Sequence, residues 1–122
     1  MDKIYIRNLR LRAVIGTYGW ERELKQDLIF NIELRCSSLR EAGLSDSLEK
    51  TVDYKEVKRR IIDFVENSSY KLIEALAESS AAICLEFDGV ESVKITLDKP
   101  GALRYADSVA VEIERTGKPP RA

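Results

Sequence analysis

Chemistry in this chain has few places to come from. Its 122 residues include no histidine and only two cysteines, Cys36 and Cys84, which lie far apart. The missing imidazole removes Ser-His-Asp and Cys-His nucleophilic catalysis, together with the commonest zinc ligand. Two separated cysteines do not build a zinc or iron–sulfur site. Acid–base work therefore falls to Glu, Asp, Lys, Tyr or water. Lys99 stands in Leu97-Asp98-Lys99-Pro100-Gly101-Ala102, where proline and glycine turn the backbone between two alternating segments. An ammonium there is held by ordered backbone at the rim of a sheet, which suits a proton donor and equally suits a solvated lysine. Glu21 follows Trp20 in a stretch broken by Gly16 and Gly19. Tyr54 follows Asp53 at a helix start, where an aromatic commonly packs on the helix or at an interface. Glu74 falls in the first turn of a second helix, where the helix dipole favours a carboxylate whatever its role.

The elements that must position these groups follow from hydrophobic periodicity. Residues 3–15 alternate, with Ile4 and Ile6 in one phase and Leu9, Leu11, Ala13 and Ile15 in the other. The phase change near Arg7-Asn8 predicts a strand carrying a bulge. Residues 16–24 form a connecting loop. Residues 25–36 alternate cleanly, with Gln26, Leu28, Phe30, Ile32, Leu34 and Cys36 on one face. The two strands should pair as an antiparallel hairpin. Residues 37–50 are polar with scattered leucines, a loop with a short helical turn. Asp53 and Glu56 have the spacing of a capping box, and Val57, Ile61, Phe64 and Val65 place a helix over 54–66. A second helix is predicted over 72–87, stopped by Asp88-Gly89. Val93, Ile95 and Leu97 make a third strand, and Val109, Val111 and Ile113 a fourth. Residues 117–122 carry no core side chains and are expected to be a disordered tail. The fold class is therefore α+β in the order ββααββ: a four-stranded antiparallel sheet with two helices on one face, a single domain over 1–116. Such a sheet leaves two edges that invite pairing with another chain.

Composition narrows the partners. Twenty basic and twenty-one acidic residues leave a formal charge of -1, so no basic face is available for nucleic acid. No segment has membrane-spanning length and the first residues lack the apolar run of a signal peptide. The two cysteines sit in apolar patterns as buried thiols of a reducing compartment, and the expected location is cytoplasmic.

Several short stretches, taken together and in order, resemble the dihydroneopterin aldolase family of folate biosynthesis and its relative, dihydroneopterin triphosphate epimerase. They are Ile15-Gly16-Thr17-Tyr18-Gly19-Trp20-Glu21, Gln26 opening the second strand, Thr51-Val52-Asp53-Tyr54, Leu72-Ile73-Glu74 and Lys99-Pro100-Gly101-Ala102. The resemblance runs from about Ile4 to Arg115. It implies the tunnelling fold (T-fold), in which sheets join edge to edge into a homo-oligomeric barrel, a tetrameric ring or an octamer of two such rings, with active sites between subunits. It also implies retro-aldol cleavage of a small pterin substrate, 7,8-dihydroneopterin, to 6-hydroxymethyl-7,8-dihydropterin and glycolaldehyde. Cofactors are none: no metal and no lysine Schiff base is expected.

The same resemblance implies roles residue by residue. Glu74 anchors the pterin through its amino group and ring N–H. Ile73 and Val52 line the substrate. Tyr54, supplied by the neighbouring subunit, lies against the substrate and relays a proton. Lys99 is the acid–base lysine near N5, and Glu21 places the catalytic water and the side-chain hydroxyls, with Glu23 the other carboxylate that could fill that position. Trp20 reads as packing. The run Ala102-Leu103-Arg104-Tyr105-Ala106-Asp107-Ser108-Val109 and Asn8-Leu9-Arg10-Leu11-Arg12 are more similar to the epimerase branch. Arg104 is one basic group that a triphosphate could use. The alternatives to the aldolase are therefore the triphosphate 2′-epimerase and a non-catalytic pterin-binding ring protein, against which Glu21, Tyr54, Glu74 and Lys99 argue by occurring together.

Overall fold

In the computed structural model, which describes residues 1–117, the strands lie in the sheet in their chain order, every neighbour antiparallel. They are β1 (Asp2–Ala13), β2 (Gln26–Cys36), β3 (Val90–Pro100) and β4 (Ser108–Thr116). Between β2 and β3 come a short helix α1 (Arg40–Ser45) and two longer ones, α2 (Tyr54–Glu66) and α3 (Ile73–Leu85). Two 3-10 turns, Gly19–Arg22 and Leu48–Lys50, complete the connections. The α+β order ββααββ read from periodicity is the order observed. The disordered tail expected from Gly117 onward lies, beyond Gly117 itself, outside the described residues.

The bulge falls where the phase change puts it. The β1–β2 register slips between Ile6 and Leu9, and Asn8 adopts a left-handed φ of 53°. Asn is among the residues that tolerate this conformation. Its N–H donates to Asn31 Oδ1 at 2.9 Å, and Asn31 Nδ2 returns a bond to Asn8 Oδ1 at 3.3 Å, so the unpaired backbone donor is satisfied from the next strand.

One face of the sheet and the inner stripes of α2 and α3 form the core. Leu28, Phe30, Ile32 and Leu34 meet Val93, Ile95 and Leu97 on the sheet side. Val57, Ile61 and Val65 of α2 and Leu76, Ala77, Ala81 and Cys84 of α3 close over them. Both thiols, Cys36 and Cys84, are free and buried. The opposite face of the sheet is polar, crossed by ion pairs of Glu33 with Lys3 and Arg35, of Arg35 with Glu114 and of Lys94 with Glu112. That division is the ordinary one for an antiparallel sheet packed on one side.

Three element ends and one helix cap differ from the periodicity reading. β1 stops at Ala13, and Ile15 is buried in the loop beyond it. β3 does not end at Leu97 but runs through Lys99, opposite Val109, and Pro100, opposite Ser108. Proline is tolerated there because it closes the ladder at a strand terminus. α3 ends at Leu85 rather than Phe87. Only half of the capping box forms: Asp53 accepts the Glu56 N–H at 3.1 Å, while the Glu56 carboxylate turns to Arg59. The i, i+3 ion pair competes with the reach back to the cap.

The antiparallel arrangement sorts loops to two ends. At one end Cys36 pairs with Val90, and Val52 lies beneath Gly89, next to the start of α2. At the other end are the 16–22 loop, the C-terminus of β3 and the start of α3. Because Asp53 supplies the one side-chain cap of α2, Asp53→Ala is expected to lower stability by about 1 kcal/mol, read as a shift of the urea midpoint without change of slope.

Candidate active site

Period-2 geometry carries the core row of β3, Val93, Ile95 and Leu97, on to Lys99, and the core row of β2 back to Gln26. Both rows continue past the helices with a polar side chain at the end. Glu21 meets them there. Its carboxylate, 7% exposed, lies 2.6 Å from the Lys99 ammonium, itself 13% exposed. Gln26 Nε2 donates to Glu21 Oε2 at 3.3 Å and to the Ile15 carbonyl at 2.7 Å. The backbone N–H groups of Thr17 and Tyr18 both donate to Glu21 Oε1 at 3.1 Å. The Lys99 bond first, and then the Tyr18 N–H and Gln26, outweigh the opposing effect of burial and hold the Glu21 carboxyl at about 2 against an ordinary 4.5.

Gly16 is what lets this carboxylate lie inside its own loop. It adopts φ 122°, and a Cβ placed on it would fall 2.2 Å from Glu21 Cδ. Any side chain there would evict the carboxylate from its four donors. The Gly16 N–H donates to the Tyr70 carbonyl at 3.3 Å, which fastens the Glu21 loop to the segment leading into α3.

Glu74 stands one helical turn beyond Tyr70, in the first turn of α3, exposed and with no hydrogen-bond or ion-pair partner among the described residues. Ile73 beside it is buried, so its side chain belongs to the core and its backbone N–H is what remains available toward solvent. Lys99, Glu21, Glu74 and Ile73 therefore share one end of the sheet. Val52 and Tyr54 do not. Val52 is buried under Gly89, and Tyr54 opens α2, half-exposed, at the start of β3. The eleven residues of β3 separate the two groups by about 30 Å. The two groups therefore lie at opposite ends of the chain's own sheet.

Trp20 is not packed within the chain but 58% exposed, near exposed Tyr18 and Leu24, because its 3-10 turn points Glu21 inward and its neighbours outward. Glu23 is exposed and has no part in the pair. Gln26 and Gly16 support the Glu21 carboxylate, a role that the sequence does not display. Gln26's place on the core face was the available signal. The contact that requires Gly16 is made only once the loop closes on itself. Among the described residues no group of three or more Asp, Glu, Cys or His is placed to hold a metal ion, and no helix is long and apolar enough to cross a membrane.

Fold and site together define a small ββααββ protein with a buried carboxylate–lysine pair at the same end of the sheet as an exposed carboxylate without a partner among the described residues. Residues 4–114 match the family described as FolB, dihydroneopterin aldolase, and the chain belongs to that family. It is 36% identical over 115 residues to the dihydroneopterin aldolase of Haemophilus influenzae, covering 94% of this chain and 97% of that one. It is 40% identical over 116 residues to the folic acid synthesis protein FOL1 of Dictyostelium discoideum, of which it spans 18%. The dihydroneopterin triphosphate 2′-epimerase of Escherichia coli is a further relative, 34% identical over 110 residues, with 90% of this chain and 91% of that one covered. The crystal structure of E. coli dihydroneopterin aldolase in complex with neopterin superimposes with a TM-score of 0.89 at 35% identity, over 94% of this chain and 99% of that one.

The depressed Glu21 value links the pair to stability. Because the folded value lies below the ordinary one, the stabilisation is complete above about pH 4.5 and is lost as pH falls through about 2. A shift of this size sets an upper bound of about 3 kcal/mol on that stabilisation. Urea unfolding at pH 6, 4.5, 3 and 2 is expected to show this loss in the wild type, whereas Glu21→Gln, less stable at pH 6, should lose less on acidification.

Proposed function

We propose that this chain is a dihydroneopterin aldolase acting in folate biosynthesis, in the cytoplasm, and that it cleaves 7,8-dihydroneopterin without a metal or a Schiff base. The observation that carries the reading is the buried Glu21–Lys99 pair at the same end of the fold as the free carboxylate of Glu74. Glu74 offers two acceptor oxygens to the two adjacent donors of a pterin ring. Lys99 then faces N5. An ammonium held against a carboxylate is a proton donor rather than a nucleophile, which favours acid–base chemistry over an imine.

The reaction balances within the substrate. The C2′ hydroxyl loses its proton and becomes the carbonyl of glycolaldehyde as the C1′–C2′ bond breaks. The electron pair moves through C6 to N5, which takes a proton from Lys99. C1′ is then protonated as N5 gives its proton up, leaving the hydroxymethyl group. Glu21, held at about 2, is too weak a base to accept the hydroxyl proton at neutral pH; it aligns Lys99 and the water beside it. Tyr54 of a second copy is positioned to relay that proton.

Val52 and Tyr54 can join the other residues only from a second copy, because they lie at the far end of their own sheet. The free edges of β1 and β4 supply the means of assembly into a tetrameric ring or octamer, and exposed Tyr18, Trp20 and Leu24 at one end and Leu44, Leu48 and Tyr54 at the other mark surfaces for a partner copy to cover.

A second reading is favoured by the epimerase relative and by the Ala102–Val109 run: glycolaldehyde re-added to the opposite face of the same intermediate inverts C2′. Incubation of the purified chain with dihydroneopterin and with its triphosphate, followed by product separation, distinguishes the two. Hydroxymethyl-dihydropterin and glycolaldehyde are expected from the first. Their absence with both substrates would overturn the aldolase reading, and inverted triphosphate alone would install the epimerase. Lys99→Ala should lower kcat by roughly 10²–10⁴-fold while neopterin binding stays within a few-fold. Glu74→Ala should weaken neopterin binding by roughly 100-fold through loss of two charge-assisted bonds.

A further inference from the structure

The Glu21 loop and the approach to α3 are far apart in sequence, yet one side chain joins them. Arg22, next to Glu21, is partly buried and makes no ion pair among the described residues. Its guanidinium donates instead to three backbone carbonyls. Nη1 donates to the Gly16 carbonyl at 3.1 Å and to the Tyr70 carbonyl at 3.0 Å, and Nη2 donates to the Ser69 carbonyl at 2.5 Å. Gly16 belongs to the loop wrapped around the Glu21 carboxylate, and Ser69 and Tyr70 lead directly into the first turn of α3.

We infer that Arg22 is a positioning residue for the aldolase reaction: it sets the separation between the Glu21–Lys99 proton-donating pair and the Glu74 anchor. The inference rests on the function proposed above. A rigid pterin bound by Glu74 presents N5 at a fixed distance from its anchored edge, so Lys99 is useful only if that distance is matched. Lys99 is fixed by β3 and by Glu21, and Glu74 is fixed by the start of α3. β3 and α3 pack together, and at this end the Glu21 loop is tied to the approach to α3 by three hydrogen bonds, the Gly16–Tyr70 backbone bond and those from Arg22 to Tyr70 and Ser69. The third Arg22 bond, to Gly16, holds the guanidinium to its own loop. A planar fork that reaches carbonyls on both loops can keep them in register; an ammonium on a flexible stem has the charge without the fork. Misplacement of a donor by an ångström is enough to slow a positioned proton transfer by about two orders of magnitude.

A purely structural arginine would affect stability and leave the turnover of folded enzyme alone, so the two roles separate. Arg22→Gln and Arg22→Lys are to be compared with the wild type for thermal midpoint, kcat and KM with dihydroneopterin well below that midpoint, and equilibrium binding of neopterin. For Arg22→Gln the expectation is a kcat at least 30-fold lower with neopterin affinity within threefold, since Glu74 itself is intact. Arg22→Lys should fall between that variant and the wild type. If Arg22→Gln does not fold, the Arg22→Lys variant decides: a reduced kcat with unchanged neopterin affinity supports the assignment. Wild-type kcat in a folded variant, or a loss of kcat matched by an equal loss of neopterin binding, overturns it. A wild type that does not cleave dihydroneopterin overturns the aldolase reading and this inference with it, whereas active variants beside an active wild type overturn this inference alone.

Discussion

A carboxylate and an ammonium 2.6 Å apart, both nearly out of water, are tolerable only when their remaining hydrogen-bonding capacity is met. Here it is met almost entirely on the carboxylate side, by two backbone N–H groups, one amide and the ammonium. That requirement shapes the loop. Glu21 has to turn back into the bend that precedes it, so Gly16 must have neither a Cβ nor an ordinary φ. Gln26 must open β2 in core phase, and β3 must run far enough to deliver Lys99 on the same face. The strand ends, the loop and the glycine are parts of one solvation problem.

The second constraint is topological. Antiparallel order with short connections places the start of α2 and the start of α3 at opposite ends of the sheet, because each helix runs the length of the layer. Groups presented at the two helix starts cannot meet within one chain, whatever the loops do. A site that needs both must be made by two copies, and a four-stranded sheet with two open edges is suited to bringing them together. On the proposed function, activity and assembly are then the same event, and exposed aromatics such as Trp20 and Tyr54 are surfaces waiting for a neighbour rather than flaws of packing.

How much of this the sequence discloses depends on the range of the interaction that decides it. The strands, the bulge at Asn8 and the two long helices rest on local periodicity and are legible as such. The extent of β3 is less legible, because Lys99 and Pro100 look like a strand stop although Lys99 continues the alternation of Val93, Ile95 and Leu97. Alternation was the better guide than polarity. The capping box forms only in part because a competitor, Arg59, stands one turn further on. Gly16 could be seen as a breaker but not as a necessity, since the atom it makes room for arrives from five residues away only after the loop has closed. Arg22 was invisible for a related reason: its acceptors are backbone carbonyls, which carry no residue-type signature.

The charges at the site end fall into two kinds, and the difference bears on function more than their number does. Glu21 already has four donors and a value held near 2, so it stays ionised at neutral pH. Glu74, in the same region, has no partner among the described residues although cations are plentiful in the chain. A helix start supplies part of the reason, since its dipole stabilises a carboxylate without an ion pair. The two oxygens of Glu74 face solvent at the same end of the sheet as Lys99, open to a ligand. A substrate that brings two donors, and that can accept electrons into its own ring, would complete the one carboxylate and use the lysine held by the other. The protein would then contribute placement and a proton, which is all that its side chains are equipped to give.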